Sequence, residues 1–232
     1  MLMSKIRCNH VSLNPHRFFP SVVFVFTFII GVLLGQLVAA SSDFGDAPDP
    51  SYPTLLVNAG ARHVLGSGVY LGSCVDAEVD GQPSASSTAD DLSVGASVFG
   101  TCSGNDDEDG VVFTSSLAVG GTTGVQVIAS SGCILSAWID FNSDGDWDDV
   151  GEAIFSGQAL VAGANNLNFT IPVGAIEGTT YSRFRCTTDG AVMVTGEASD
   201  GEVEDYTVTI GPATTSEFPF QMFLPAIIPK NK

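Results

Sequence analysis

Cys133-Ile-Leu-Ser-Ala-Trp-Ile-Asp-Phe141, running directly into Asn142-Ser-Asp-Gly-Asp-Trp-Asp-Asp-Val-Gly-Glu152, is the stretch that decides the fold. Cys133, Leu135, Ala137, Ile139 and Phe141 fall on one face of an extended chain, the period-two signature of a strand with one buried side. Similar short runs rich in Val, Ile, Thr and Phe recur on both sides of it. They are Val111–Phe113, Gly124–Ala129, Ala153–Phe155, Asn166–Ile171, Thr180–Cys186 and Glu202–Ile210, with Gly-rich connections between them. No comparable length shows a helical period. The pattern predicts an all-β domain, a β-sandwich of jelly-roll or Ig-like type with long acidic loops.

The alternation also assigns faces. Leu167, Phe169 and Ile171 point inward, and Ser182, Phe184 and Cys186 share a face opposite Tyr181, Arg183 and Arg185. In the last run, the phase of Tyr206, Val208 and Ile210 also contains Glu202 and Glu204. Cysteine usage fits an oxidising compartment: Cys8 precedes the domain, leaving Cys74, Cys102, Cys133 and Cys186. Three pairings are arithmetically open. Cys133 and Cys186 both fall in the apolar phase of their strands, which favours Cys133–Cys186 together with Cys74–Cys102. Zinc is a weak rival, because no C-x-x-C spacing is present and His63 is the sole histidine after the leader.

Both ends of the chain differ from its middle. Lys5, Arg7 and Arg17 precede an apolar run from Phe18 to Leu34 that closes on Val38-Ala-Ala40. Residues 1–40 therefore read as a signal peptide, with an uncleaved anchor as the alternative, and either places the rest outside the cytoplasm. Residues 41–212 form the β domain. Residues 213–232 are a linker and a short hydrophobic tail, read as a sorting or retention tag or as a last edge strand. All 26 acidic residues follow Ala40, against five basic ones, a formal balance of −21. Such a domain repels nucleic acid and anionic membrane surfaces and attracts cations. With 44% apolar residues over the whole chain, it has the material for a core.

The acidic loop offers oxygen ligands at alternate positions. Asp140, Asn142, Asp144, Asp146, Asp148 and Glu152 match the hard oxygen donors that Ca2+ takes, and Gly145 allows the turn. Glu152 stands at loop position thirteen rather than the twelve of an EF-hand, and the flanks are strands, so a helix-loop-helix switch is not expected. Two further clusters repeat the theme: Asp76, Glu78 and Asp80, and Asp106, Asp107 and Asp109. Mutual repulsion makes a cation the simplest relief in each. Between Leu71 and Gly110 so long a loop needs such ligands or a disulfide to organise it. Arg183 and Arg185 are expected to pair with Glu202 and Glu204 across a ladder, the alternative being that some of these carboxylates complete a cation site.

Six ordered motifs carry a resemblance. They are Asp43-Phe-Gly-Asp-Ala-Pro-Asp49, Leu71-Gly-Ser-Cys-Val-Asp-Ala-Glu-Val-Asp-Gly81, Asp106-Asp-Glu-Asp-Gly-Val111, Ala137-Trp-Ile-Asp-Phe-Asn-Ser-Asp-Gly-Asp-Trp147, Tyr181-Ser-Arg-Phe-Arg185 and Gly201-Glu-Val-Glu-Asp-Tyr206. Together they resemble the GEVED domain family, over roughly Ser42 to Gly211. The resemblance implies a β-rich module of secreted and surface-attached bacterial proteins, without an established catalytic role. The expected function is a non-catalytic, calcium-stabilised extracellular module that adheres to a glycan or a cell-surface protein; the alternative is a coat or matrix subunit without a specific ligand. A carboxylate hydrolase is less favoured, because the acids are spaced as ligands rather than as a cleft pair. Ser-His-Asp chemistry would rest on His63 alone. Trp138, Trp147, Tyr70 and Tyr181 are the aromatics available for a sugar platform, although core packing is the commoner use.

Overall fold

The structure, a computed structural model, describes residues 42–89, 98–102 and 107–214. The expected signal peptide, Asp106 and the hydrophobic tail from residue 215 onward lie outside the described residues. The strands are β1 (Ser42–Phe44), β2 (Arg62–Val64), β3 (Cys74–Val75), β4 (Phe99–Gly100), β5 (Val111–Phe113), β6 (Leu117–Ala118) and β7 (Thr122–Ala129). They continue as β8 (Cys133–Ile139), β9 (Ala153–Leu160), β10 (Gly163–Thr170), β11 (Gly178–Thr187), β12 (Glu197–Ala198) and β13 (Glu202–Gly211). Helix among the described residues is limited to the 3-10 turn Leu56–Asn58. The chain is all-β, as the alternation requires.

Two sheets make the sandwich, one ordered β6-β13-β11-β8-β9 and the other β10-β7-β5. Their facing side chains form the main core: Leu135, Ala137, Ile139 and Phe141 from β8 and its end, Phe184 from β11, Val208 and Ile210 from β13, and Val125 and Val127 from β7. Phe113 of β5 joins the sheets by meeting Phe184 of β11 edge-on at 6.0 Å, and it packs on Phe169 of its own sheet at 6.4 Å. These inward residues are the ones the period-two reading selects, because the pleat leaves a strand no other way to bury an apolar set. Cys186 opposes Leu135 in the ladder, so Cys133–Cys186 crosses diagonally between neighbouring strands inside this core, with Cα atoms 5.9 Å apart. Cys74–Cys102 closes the long acidic loop at a Cα separation of 5.0 Å.

The outer face of the larger sheet is also covered, by the chain's opening segment. β1, β2 and β12 form a small sheet of their own, and Ala47, Tyr52, Trp138 and Trp147 form a second buried cluster. The two tryptophans are therefore core and do not form a surface platform. On this face lies Arg183, which has no exposed surface and forms a bidentate pair with Asp205, Nε–Oδ1 2.7 Å and Nη2–Oδ2 2.7 Å. Arg183 also donates to Pro53 O, Val194 O and Thr54 Oγ1, and its guanidinium lies 4.8 Å from the Trp147 ring centre. One arginine thus ties the opening segment and the loop after β11 onto the sheet.

This corrects the expected ion pairs. The ladder sets Arg183 against Asp205 and Arg185 against Val203, while Glu204 and Glu202 oppose Phe184 and Cys186. Directly opposed residues share a face, so both glutamates point into the sandwich, away from the arginines. Among the described residues Arg185 pairs with no carboxylate; it donates to Met193 O, Thr195 O, Arg62 O, Gly196 O and His63 Nε2. A guanidinium has no lone pair to offer, so Nε2 accepts, and the Nδ1 proton of His63 goes to Asp200 O at 2.7 Å. Gly201 opens the last strand at φ +98°, where a Cβ would stand 1.7 Å from Cys186 O. Only glycine fits there.

Asp205→Asn leaves the buried Arg183 charge without its counter-charge, and a broken buried pair costs about 3–5 kcal/mol. Urea unfolding should show a loss of that size, with an unchanged slope. Cys133→Ala with Cys186→Ala should lower stability by about 2–4 kcal/mol in the same assay.

Candidate functional site

The acidic loop leaves β8 and folds on its own amide groups. Asp140 is fully buried: Oδ1 accepts from Ser143 N at 2.5 Å, and Oδ2 from Gly145 N at 3.1 Å and Tyr52 Oη at 2.5 Å. Asn142 Oδ1 accepts from Asp144 N, while its Nδ2 donates to Asp144 Oδ2 at 2.9 Å and Asp149 Oδ2 at 2.6 Å. Asp146 Oδ1 caps Asp148 N. Glu152 returns into the loop, with Oε1 on Phe141 N and Oε2 on Asp149 N. Trp147 anchors the tip against Tyr52 at 4.5 Å and donates Nε1–H to Tyr181 O. The loop is therefore held by aromatic packing and Asx-type bonds of the kind short Asp and Asn side chains form with nearby amides.

That folding separates the six sequence-predicted ligands. Asp140 and Glu152 spend their oxygens on loop amides and Tyr52. Asp144 and Asp146 come together with Asp149, one oxygen of each lying within 4.8 Å of the others, and all three are exposed. The alternate spacing names Asp148, whereas the turn after Trp147 sets Asp149 beside Asp144 and Asp146. Beside this trio opens a cleft of about 340 Å³, lined by Phe141, Asn142, Asp149, Val150, Glu152 and Pro172 among others. Burial pushes the Glu152 carboxyl up to about 7, against the pull of the Phe141 and Asp149 amides.

A second concentration of carboxylate is buried. One oxygen each from Asp76, Glu78 and Asp107 lies within 4.8 Å of the others, and Asp107 forms a like group with Asp43 and Glu202. Three chain segments meet here: β1, the loop after β3 and the lead into β5. Glu78 Oε2 accepts from Phe44 N at 3.0 Å, Asp107 Oδ2 from Asp76 N at 3.2 Å, and Asp43 Oδ2 from Val203 N at 2.6 Å. Of the other sequence-predicted residues, Asp80 caps Leu56 N and Asp109 caps Ser73 N, so neither joins the group. Asp43 escaped the sequence reading because it lies far along the chain from its partners. Glu202 was legible only as an alternative to arginine pairing.

The GEVED stretch is the acceptor strip of this region. Glu202 accepts from Leu71 N, Glu204 Oε1 from Gly110 N at 2.8 Å, and Glu204 Oε2 from Tyr206 Oη at 3.0 Å. Two glutamates at the head of a central strand thus hold the ends of the acidic loop. Burial is the main reason their carboxyls rise, Glu202 well above the usual range and Glu204 to about 8, with neighbouring carboxylates adding to it. Glu78 is pushed up to about 12 by burial, then by Asp76 and Asp43. His63 is driven the other way, by burial and then by Arg185.

A carboxyl whose pKa is raised on folding binds its proton more tightly folded than unfolded, so its contribution is present at low pH and lost as pH climbs from 4.5 to the folded value. His63 is silent above its ordinary value of 6.5. With divalent cations chelated, stability should therefore fall between pH 6.5 and 8, by up to about 1.4 kcal/mol per pH unit for each titrating group. Glu204→Gln should flatten that slope in pH-resolved urea melts.

Comparison with curated proteins returns no match, and comparison with solved structures returns none either. The family model described as the GEVED domain matches residues 134–209, from β8 through the acidic loop to β13. The matched stretch contains Asp140 to Glu152 and Glu202 to Asp205, while Asp43, Asp76, Glu78 and Asp107 precede it. Residues 134–209 of this chain are a GEVED domain.

Proposed function

We propose that this chain is an extracytoplasmic, non-catalytic, calcium-stabilised module that adheres to a glycan or another cell-surface component at the cleft beside the 140–152 loop. The observation that carries the reading is the shared residue: Asp149 belongs both to the exposed trio with Asp144 and Asp146 and to the wall of the cleft. A cation held there would present open coordination positions to hydroxyl groups of a ligand in the cleft, since Ca2+ takes six to eight oxygens and keeps waters where the protein supplies few. Two disulfides support export to an oxidising compartment.

The acids and the histidine are engaged in ways that suit structure rather than turnover. His63 is fully buried with both ring nitrogens bonded, to Arg185 and to Asp200 O, which leaves no nitrogen to activate a nucleophile. Asp140 and Glu152 are fastened to loop amides rather than facing one another across a cleft. A coat or matrix subunit without a defined ligand is the second reading, and ligand retention separates the two.

Glycan-array binding in millimolar calcium should retain a defined sugar class, and chelator should release it. Asp144→Asn with Asp149→Asn should reduce retention at least about tenfold, a loss of about 1.4 kcal/mol, while the melting temperature moves by only a few degrees. Retention of no glycan in calcium favours the coat subunit. Retention indifferent to chelator and to both substitutions rules out a calcium-dependent cleft.

A further inference from the structure

In the loop after β3, two buried carboxylates, Asp76 and Glu78, each carry an oxygen that the described residues do not meet. Asp76 and Glu78 are 7% and 8% exposed, and Asp76 Oδ1 and Glu78 Oε1 have no hydrogen-bond partner. Leaving a buried polar oxygen unmet costs on the order of 1–3 kcal/mol, more when it is charged. The ion pairs among the described residues are Arg62–Glu197 and Arg183–Asp205, neither of them in this group. Arg185 is consumed by carbonyls and His63.

We infer that Asp76, Glu78 and Asp107 hold a buried calcium ion, distinct from the 140–152 loop. Three oxygens mutually within 4.8 Å admit a central point no more than about 2.8 Å from each, and small side-chain rotations close that to a calcium–oxygen distance of about 2.3–2.6 Å. The donors are all hard oxygens, which suit calcium and disfavour softer metals. Asp76 and Glu78 come from the loop after β3 and Asp107 from the lead into β5, and the forgiving coordination of calcium accommodates such a set better than the strict octahedron of magnesium. Asp107 also reaches the Asp43–Glu202 side of the cluster, so the ion links the opening acidic segments to the first residue of β13. A proton shared between Asp76 and Glu78 is the competing way to relieve the group, and it makes the opposite predictions.

The inference does not rest on the cleft. Native mass spectrometry in millimolar calcium, with melts in calcium and in chelator, should compare wild type with Asp76→Asn/Glu78→Gln and with Asp144→Asn/Asp149→Asn. The first variant should carry one calcium fewer than wild type, while the second keeps the ion bound at Asp76 and Glu78. In chelator the neutralised variant should melt above wild type, because repulsion is gone; in calcium it should melt below, because the ion is gone. A shift of about 2–4 °C corresponds to each kcal/mol in a domain of this size. Limited proteolysis of wild type should cut between residues 42 and 110 in chelator and spare that stretch in calcium. An unchanged calcium count in the first variant would overturn the centre. So would variant and wild-type melts ordered the same way in both media, or magnesium restoring the melt as well as calcium. Loss of glycan retention in the loop variant, with this ion still bound, would bear on the cleft alone.

Discussion

Burying a carboxylate costs several kcal/mol unless a positive charge, a proton or a set of hydrogen-bond donors meets it, and this domain buries eleven of them among its described residues. Only Arg62, Arg183 and Arg185 stand among those residues as fixed cations. The architecture is largely the set of solutions to that imbalance. Arg183 neutralises Asp205 at the centre of the larger sheet. Backbone amides serve Asp140, Glu152, Glu202 and Glu204, each at the point where a loop must be fastened to a strand. Asp76 Oδ1 and Glu78 Oε1 are buried oxygens that neither solution meets among the described residues.

The same imbalance explains why both faces of the larger sheet are covered. Its inner face is a conventional sandwich core of aromatic and branched side chains. Its outer face carries Arg183, Arg185 and Asp205, with His63 of β2 set against Arg185, groups that would be hydrated if left exposed. The opening segment from Ser42 to Val64 and the loop from Thr188 to Ala198 supply carbonyls that satisfy the two guanidinium groups. Arg185 is held by four of those carbonyls and one imidazole nitrogen, so its partners are dipoles rather than charges. Covering such a face yields specificity of chain path, because no shifted arrangement would satisfy as many donors.

The six residues of the GEVED stretch each have a separate duty. Gly201 makes the approach to Cys186 O that a side chain would block. Glu202 and Glu204 face the sandwich and hold Leu71 and Gly110, the two ends of the acidic loop. Val203 offers its amide to Asp43, Asp205 faces outward to Arg183, and Tyr206 returns a hydroxyl to Glu204. The motif is a junction between three segments, and it alternates because the strand does.

Much of this was legible from residues alone. The strands from Val111 onward and their inward faces follow from period-two alternation, because a pleated strand next to a core has a single way to sort its side chains; the same alternation favours Cys133–Cys186 but leaves the other pairings open. The acidity of the loops followed from composition. Alternation sets the phase of a strand but not its register against a neighbour. Only the folded ladder placed Arg183 opposite Asp205 and turned Glu202 and Glu204 away from the arginines. Only the tertiary turns drew Asp140 and Glu152 into hydrogen bonds within the loop, set Asp149 beside Asp144 and Asp146, and gathered Asp43, Asp107 and Glu202 from distant parts of the chain. Local pattern decides what a residue faces; loop closure over tens of residues decides what it meets.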